Sequence, residues 1–214
     1  MTDRKIVPFN PLDKRRLGES VGRAMLGQPV IPLQDLTVFH GAGIYAIYYT
    51  GAFPGYGAIA ERNRDGRFGA PIYVGKAVPK GARKGSDLEA PPGKALHNRL
   101  KQHAKSIEEA TNLEIADFHC RYLIVDDIRI ALGESLLIAK FGPLWNNLID
   151  GFGNHDPGQG RHAGLRPRWD VLHPGRPWAD RCQPRDETAD GIVREARDYL
   201  RSNFPRDSGY GGPR

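Results

Sequence analysis

The spacing of apolar side chains changes several times along the chain, and each change marks an element. Leu17, Val21, Ala24 and Met25 fall at helical spacings behind Asn10-Pro11, which predicts a capped amphipathic helix. Gly43 to Tyr49 (GIYAIYY) is dense in β-formers, and Pro71 to Gly75 (PIYVG) reads as a second short strand beside it in one sheet. The Gly-rich stretch between them, 52–70, reads as a long hairpin connection or an insertion. From Lys94 to Ala110 the period returns to that of a helix, with Leu96, Leu100, His103 and Ile107 on one stripe. Phe118, Cys120, Tyr122 and Ile124 then alternate with His119, Arg121, Leu123 and Val125, which predicts a third strand. Asp126-Asp127 offers an N-cap for a helix from Ile128 to about Phe141, ended by Gly142-Pro143. Beyond it, Gly151 to Trp178 holds six Gly and four Pro and reads as loop, before a polar helix near Glu187 to Ser202.

The resulting β-β-α-β-α order predicts a small mixed α/β core. Residues 41–150 form that core, with insertions at 52–70 and 77–93. Residues 1–40 are an N-terminal extension whose helix could serve in dimerisation, and 151–214 a loop-rich C-terminal extension ending in a helix. A length of 214 residues suits one domain with extensions, and 26 Gly with 17 Pro describe a chain rich in loops but still folded.

Charge adds a direction to this picture. Between Lys76 and Lys105 there are eight basic side chains against two acidic ones, which accounts for the whole net charge of +6. Such a segment suits a polyphosphate ligand, although a solvated lysine-rich loop has the same composition. No apolar h-region follows the N-terminal basic residues and no window approaches a membrane span, so a soluble, cytoplasmic protein is expected. Cys120 and Cys182 are too few and too isolated for a disulfide framework or a zinc site.

Glu134 carries the sharpest chemical signal. Its helical neighbours Ile130, Ala131, Leu137 and Ile138 are all apolar, so a carboxylate stands on the face expected to be buried. It needs a counter-charge, either an arginine in an ion pair or a divalent metal. No second His or Asp lies nearby in sequence, so an oxygen-ligand ion such as Mg2+, completed by water, suits it better than zinc. Arg99 and His103, four apart on the preceding helix, could address one phosphate together; a surface arginine and a core histidine are the plainer readings. Tyr45 and Tyr73 stand mid-strand, where aromatic residues are ordinary, and Asn146 follows the Gly142-Pro143 break in a turn that is either a packed corner or a site.

Taken in order, these residues resemble the GIY-YIG nuclease family. Gly43-Ile44-Tyr45 matches its first half-motif and Tyr73-Val74-Gly75 its second, with Val74 for the usual Ile; Arg99, His103, Glu134 and Asn146 follow in sequence. The longer spacer and the insertion before the helix depart from the minimal domain. The chain is similar instead to the compact type II restriction endonucleases of the family, including in the Gly-Ala-Gly-Ile-Tyr opening, the Pro-Ile-Tyr-Val-Gly-Lys-Ala-Val-Pro segment and the Pro-Leu-Trp-Asn to Gly-Phe-Gly-Asn-His stretch.

The resemblance implies an α+β fold with a central three-stranded antiparallel sheet flanked by helices. It also implies hydrolysis of double-stranded DNA by a prokaryotic homodimer, with one Mg2+ per active site held by Glu134. Tyr45 would be the general base assisted by His103, Arg99 the phosphate clamp, Tyr73 an orienting group, and Asn146 a phosphate contact or a brace. The closest members of that branch cut CCGCGG, and a cognate DNA methyltransferase is expected to protect the host. Lys76, Lys80, Arg83, Lys84, Lys94, Asn154, Arg161 and His162, in the Gly/Pro-rich segments 76–94 and 151–168, are the expected DNA contacts. Repair or structure-specific cleavage is the alternative within the family, and a non-catalytic nucleic-acid-binding module the alternative outside it.

Overall fold

Every side chain of GIYAIYY is buried, because its strand runs through the middle of a sheet covered on both faces. In the computed structural model, which describes residues 13–79, 93–125, 127–154, 156 and 163–203, four antiparallel strands lie in the order β1-β4-β2-β3. They are β1 (Ile31–Pro32), β2 (Gly43–Tyr49), β3 (Pro71–Ala77) and β4 (Phe118–Ile124). The helices are α1 (Lys14–Leu26), α2 (Gly57–Asn63), α3 (Ala95–Glu109), α4 (Asp127–Phe141), α5 (Leu144–Asn147), α6 (Arg168–Leu172) and α7 (Ala189–Asn203). Tyr45, Ile47 and Tyr49 face a large apolar cluster built with α3, α5, α6 and α7, while Ile44, Ala46 and Tyr48 face a smaller one with α1 and α4.

The three expected strands pair as a central antiparallel sheet, and β1 adds a fourth, too short for periodicity to show. The stretch 52–70 is more than a connection, since it contains α2. Asn63 closes this excursion: its Nδ2 donates to the carbonyls of Tyr49 and Ala70, both at 2.9 Å, and its Oδ1 accepts from Ala70 N. The end of β2 is thereby tied to the start of β3. Asn10-Pro11 and Asp126 lie outside the described residues; Asp13 caps α1, its Oδ1 accepting from the amides of Arg15 and Arg16. Within the chain α1 packs on α4, with Gly18 against Leu136 and Gly22 against Lys140.

Phe152, Trp169, Leu172, Ile192, Ala196 and Leu200 share one apolar cluster with Tyr45, Ile47 and Leu100. The chain after residue 150 therefore helps to build the interior around the β2 face. Both cysteines are buried free thiols. Among the described residues no helix is long and apolar enough to cross a membrane.

A polar chain threads this interior. Trp145 Nε1 donates to the Tyr56 hydroxyl (2.9 Å), which lies 2.7 Å from His173 Nε2, and His173 Nδ1 lies 2.9 Å from Asn112 Oδ1. Asn112 Nδ2 donates to Leu172 O, so Oδ1 is left to accept from Nδ1–H. The neutral ring then satisfies both neighbours, and burial pushes the His173 pKa down to about 3. Because that lies below the ordinary value of 6.5, the unfolded chain binds the extra proton throughout the interval. This contribution to stability is full above pH 6.5 and is lost as pH falls towards 3, by about 2–3 kcal/mol at pH 4.5. In urea unfolding at pH 7.5 and 4.5, His173→Gln is expected to show a smaller acid loss than the parent by that amount. Equal losses would remove His173 from the account.

Candidate active site

The register of β2 and β3 sets Tyr45 directly opposite Gly75, and Ile47 opposite Tyr73, so the two tyrosines are diagonal neighbours on one face. Their ring centroids are 6.2 Å apart. Gly75 is required here because a Cβ on it would lie 2.4 Å from the Tyr45 hydroxyl oxygen. The phenol of Tyr45 thus rests across β3 where a side chain would otherwise stand. Gly43 answers a similar demand at the other half-motif, since a Cβ there would sit 2.0 Å from the Leu123 carbonyl oxygen.

Helix α3 packs on this face through the expected stripe, and Leu96, Leu100, His103 and Ile107 are all buried. His103, 2% exposed, places Nε2 2.6 Å from the Tyr45 hydroxyl, and its ring lies 5.2 Å from that of Tyr73. One turn earlier, at the margin, Arg99 Nη2 donates to Gly153 O at 2.8 Å and Nη1 to Gln102 Oε1 at 3.3 Å. His103 therefore turns inward to the phenol while Arg99 stays at the rim. Burial raises the Tyr45 hydroxyl well above its ordinary range, Tyr73 adding to the effect, and Arg99 works against it. Tyr73 is also raised by burial, again opposed by Arg99. Both phenols are neutral at pH 7.

Glu134 comes from α4, on the other side of the sheet, yet its charge pushes both tyrosine hydroxyls up, so it lies within their electrostatic reach. Its side chain is 18% exposed, with Ile130 and Leu137 buried beside it and Ala131 facing solvent. The counter-charge is a lysine where an arginine was the expected ion-pair partner: Lys76 Nζ lies 2.6 Å from Glu134 Oε2. Lys76, read from sequence as a DNA contact, is paired with the carboxylate and stays partly exposed.

Asn146, on α5, uses both ends of its amide on one residue. Its Oδ1 accepts from Val74 N and its Nδ2 donates to Val74 O, both at 2.8 Å. Since β3 is an edge strand, Asn146 supplies the pairing that a further strand would, and it braces the stretch carrying Tyr73 and Gly75.

The structure thus brings Tyr45, Tyr73, Arg99, His103, Lys76 and Glu134 to one region, with Asn146 behind it. Of the other expected DNA contacts, Lys94 and Asn154 are exposed, at the start of α3 and in the loop beside Arg99. Lys80, Arg83, Lys84, Arg161 and His162 lie outside the described residues. Sequence reasoning missed Phe152, whose ring stacks on His103 with centroids 4.5 Å apart and meets Tyr73 edge-on at 5.0 Å. It also missed Gly153, which holds Arg99. A Gly-Phe-Gly run inside a Gly/Pro-rich stretch has no period to betray either.

A family model for the Eco29kI GIY-YIG domain matches residues 37–200. The chain belongs to that family. No curated protein matches it. The GIY-YIG match begins after α1 and β1 and runs to the last turns of α7. It therefore takes in the segment after residue 150 that folds against His103, as well as the two half-motifs. Membership in this type II restriction endonuclease family makes the chain a nuclease, with DNA as its substrate.

Proposed function

We propose that this chain is a homodimeric type II restriction endonuclease that uses Mg2+ to hydrolyse phosphodiester bonds in double-stranded DNA at a short GC-rich palindrome, CCGCGG. The observation that carries this reading is the buried hydrogen bond between Tyr45 and His103, with Arg99 and Glu134 both within electrostatic reach of the Tyr45 hydroxyl.

A free tyrosinate is not needed at this site. With His103 in the tautomer that leaves Nε2 unprotonated, the Tyr45 hydroxyl, 2.6 Å away, donates to it and keeps oxygen lone pairs to accept from an attacking water. As the water oxygen bonds to phosphorus, its proton passes to the Tyr45 oxygen and the phenolic proton passes to His103, while the P–O bond to the leaving oxygen breaks and that oxygen takes up a proton from solvent. Arg99, with a guanidinium at the rim, is placed to hold the phosphate, and Tyr73 to orient it or the water. Glu134 fits Mg2+: it is a hard oxygen donor, and Mg2+ is commonly bound through one or two carboxylates with water in its other positions. Bound there, the ion supplies Lewis-acid stabilisation of charge on the phosphate.

Two-fold symmetry of a palindrome calls for a two-fold protein, for which α1 remains the proposed element, and the segments 76–94 and 151–168 are the proposed readers of guanine edges. A cognate methyltransferase would protect the same site. Digestion of a sequenced plasmid with and without Mg2+, followed by mapping of the ends, tests this reading. Discrete fragments ending at one palindrome are expected. Scattered nicks would favour a repair or structure-specific nuclease, and tight binding without cleavage a binding module.

A further inference from the structure

Arg176 lies in the Gly/Pro-rich segment, far in sequence from both half-motifs, and is 1% exposed. All five of its guanidinium N–H groups are used. Nε and Nη2 donate to the two carboxylate oxygens of Asp170 at 2.6 and 2.5 Å, and Asp170 is itself 1% exposed. The remaining donors go to backbone carbonyls of a single loop: Nη2 to Gly151 (2.9 Å), and Nη1 to Phe152 (3.2 Å) and Asn154 (3.1 Å). The guanidinium also lies over the rings of Trp169 and Trp178, 4.5 and 4.7 Å from their centroids.

The carbonyl missing from that set is Gly153, and it is the one that accepts from Arg99. Arg176 thus grips the loop on both sides of Gly153, and the middle carbonyl is given to the rim arginine. From the same loop, the Phe152 ring stacks on His103. We propose that the Asp170–Arg176 pair is a positioning device for the active site, fixing loop 151–154 so that Gly153 O orients Arg99 and Phe152 holds the ring of His103.

Elementary chemistry supports a positional role. Taking a carboxylate and a guanidinium out of water is costly, and an apolar pair of similar volume would stabilise the core as well or better. What an apolar pair cannot do is donate hydrogen bonds to three carbonyls of one loop at once. Lysine cannot do so while also pairing with both oxygens of Asp170, because its three donors on a single nitrogen do not form a fork. Displacements on the order of 1 Å in positioning groups are enough to slow an enzyme about 100-fold.

The inference rests on the proposed roles of Arg99 and His103, so its test has an arm that does not need cleavage. Arg176→Lys keeps the charge beside Asp170. In single-turnover cleavage of DNA, the folded variant is expected to be about 100-fold slower, with metal-free DNA affinity within about threefold of the parent. Added to Arg99→Ala, the same substitution should slow cleavage by clearly less than it slows the parent, because the part that acts through Arg99 is already lost and only the part through Phe152 and His103 remains. In NMR spectra, the His103 ring and Arg99 Nε–H signals should shift in Arg176→Lys.

A folded Arg176→Lys that cuts at the parental rate, or one whose effect multiplies fully with that of Arg99→Ala, would overturn the proposal, as would unshifted signals. If Arg176→Lys does not fold, Asp170→Asn takes its place, with a loss of about tenfold and the same non-additivity expected. A parent that cuts no DNA would instead refute the nuclease roles assigned to these residues, and the spectral arm would still decide whether Arg176 fixes the loop.

Discussion

Tyr45→Phe is expected to reduce DNA cleavage by about 1,000-fold or more, within the range general-base catalysis supplies, while leaving metal-free DNA binding within a few-fold of the parent. The physical reason is the state of the phenol. Burial raises its pKa well above the ordinary phenol value, so it is neutral near pH 7, and its hydroxyl lies 2.6 Å from His103 Nε2. The oxygen that would take a proton from water and the proton that would pass to His103 belong to the same group, and phenylalanine removes both. His103→Ala should cost nearly as much, because the relay then has no terminal acceptor. The double variant should be little slower than either single one, as for residues that act as a unit. Some stability will be lost as well, about 1–3 kcal/mol, since Tyr45→Phe leaves a buried ring nitrogen without its partner. Rates are therefore compared per folded molecule at a temperature well below both melting transitions. Cleavage by Tyr45→Phe within tenfold of the parent would exclude the phenol from the proton path.

Much of this geometry is legible in the chain because it follows from period and register. GIYAIYY and PIYVG pair in a register that brings Tyr45 over Gly75, and the α3 stripe that marks a helix also delivers His103 to the same face. Helix α2 was hidden because its seven residues begin with Gly57 and sit among turn formers. Strand β1, two residues with a proline, carries no alternation at all. The partners of charged groups were less legible still. Lys76 and Glu134 are 58 positions apart and meet because β3 lies beside α4, which no local pattern encodes. Arg176 and Asp170 are only six apart, yet their setting of Gly, Pro and Trp has the composition of an exposed loop. Its burial comes from Phe152, Trp169 and Trp145 packing on one another behind the α3 face, a tertiary fact.

The Lys76–Glu134 pair separates two roles for the carboxylate. If Glu134 serves only as the partner of an ammonium, then Lys76→Met and Glu134→Gln remove the same interaction and should have the same consequences. If Glu134 holds Mg2+, the two substitutions should diverge. Glu134→Gln removes the charged oxygen donor, and cleavage is expected to fall by about 1,000-fold or more, as when a major charge-stabilising group is lost. The calorimetric signal of Mg2+ or Mn2+ binding to the free protein should disappear with it. Lys76→Met leaves the carboxylate without its competing ammonium, so metal affinity should hold or rise. Neither change should unfold the protein, because the pair is partly exposed, Lys76 at 38%, and such pairs contribute about 0–1 kcal/mol. Salt distinguishes the two roles independently, since the pair is screened as ionic strength rises while an inner carboxylate ligand is less affected. Matching losses of metal binding in both variants would leave Glu134 a structural counter-ion and send the search for the metal ligand elsewhere in the site.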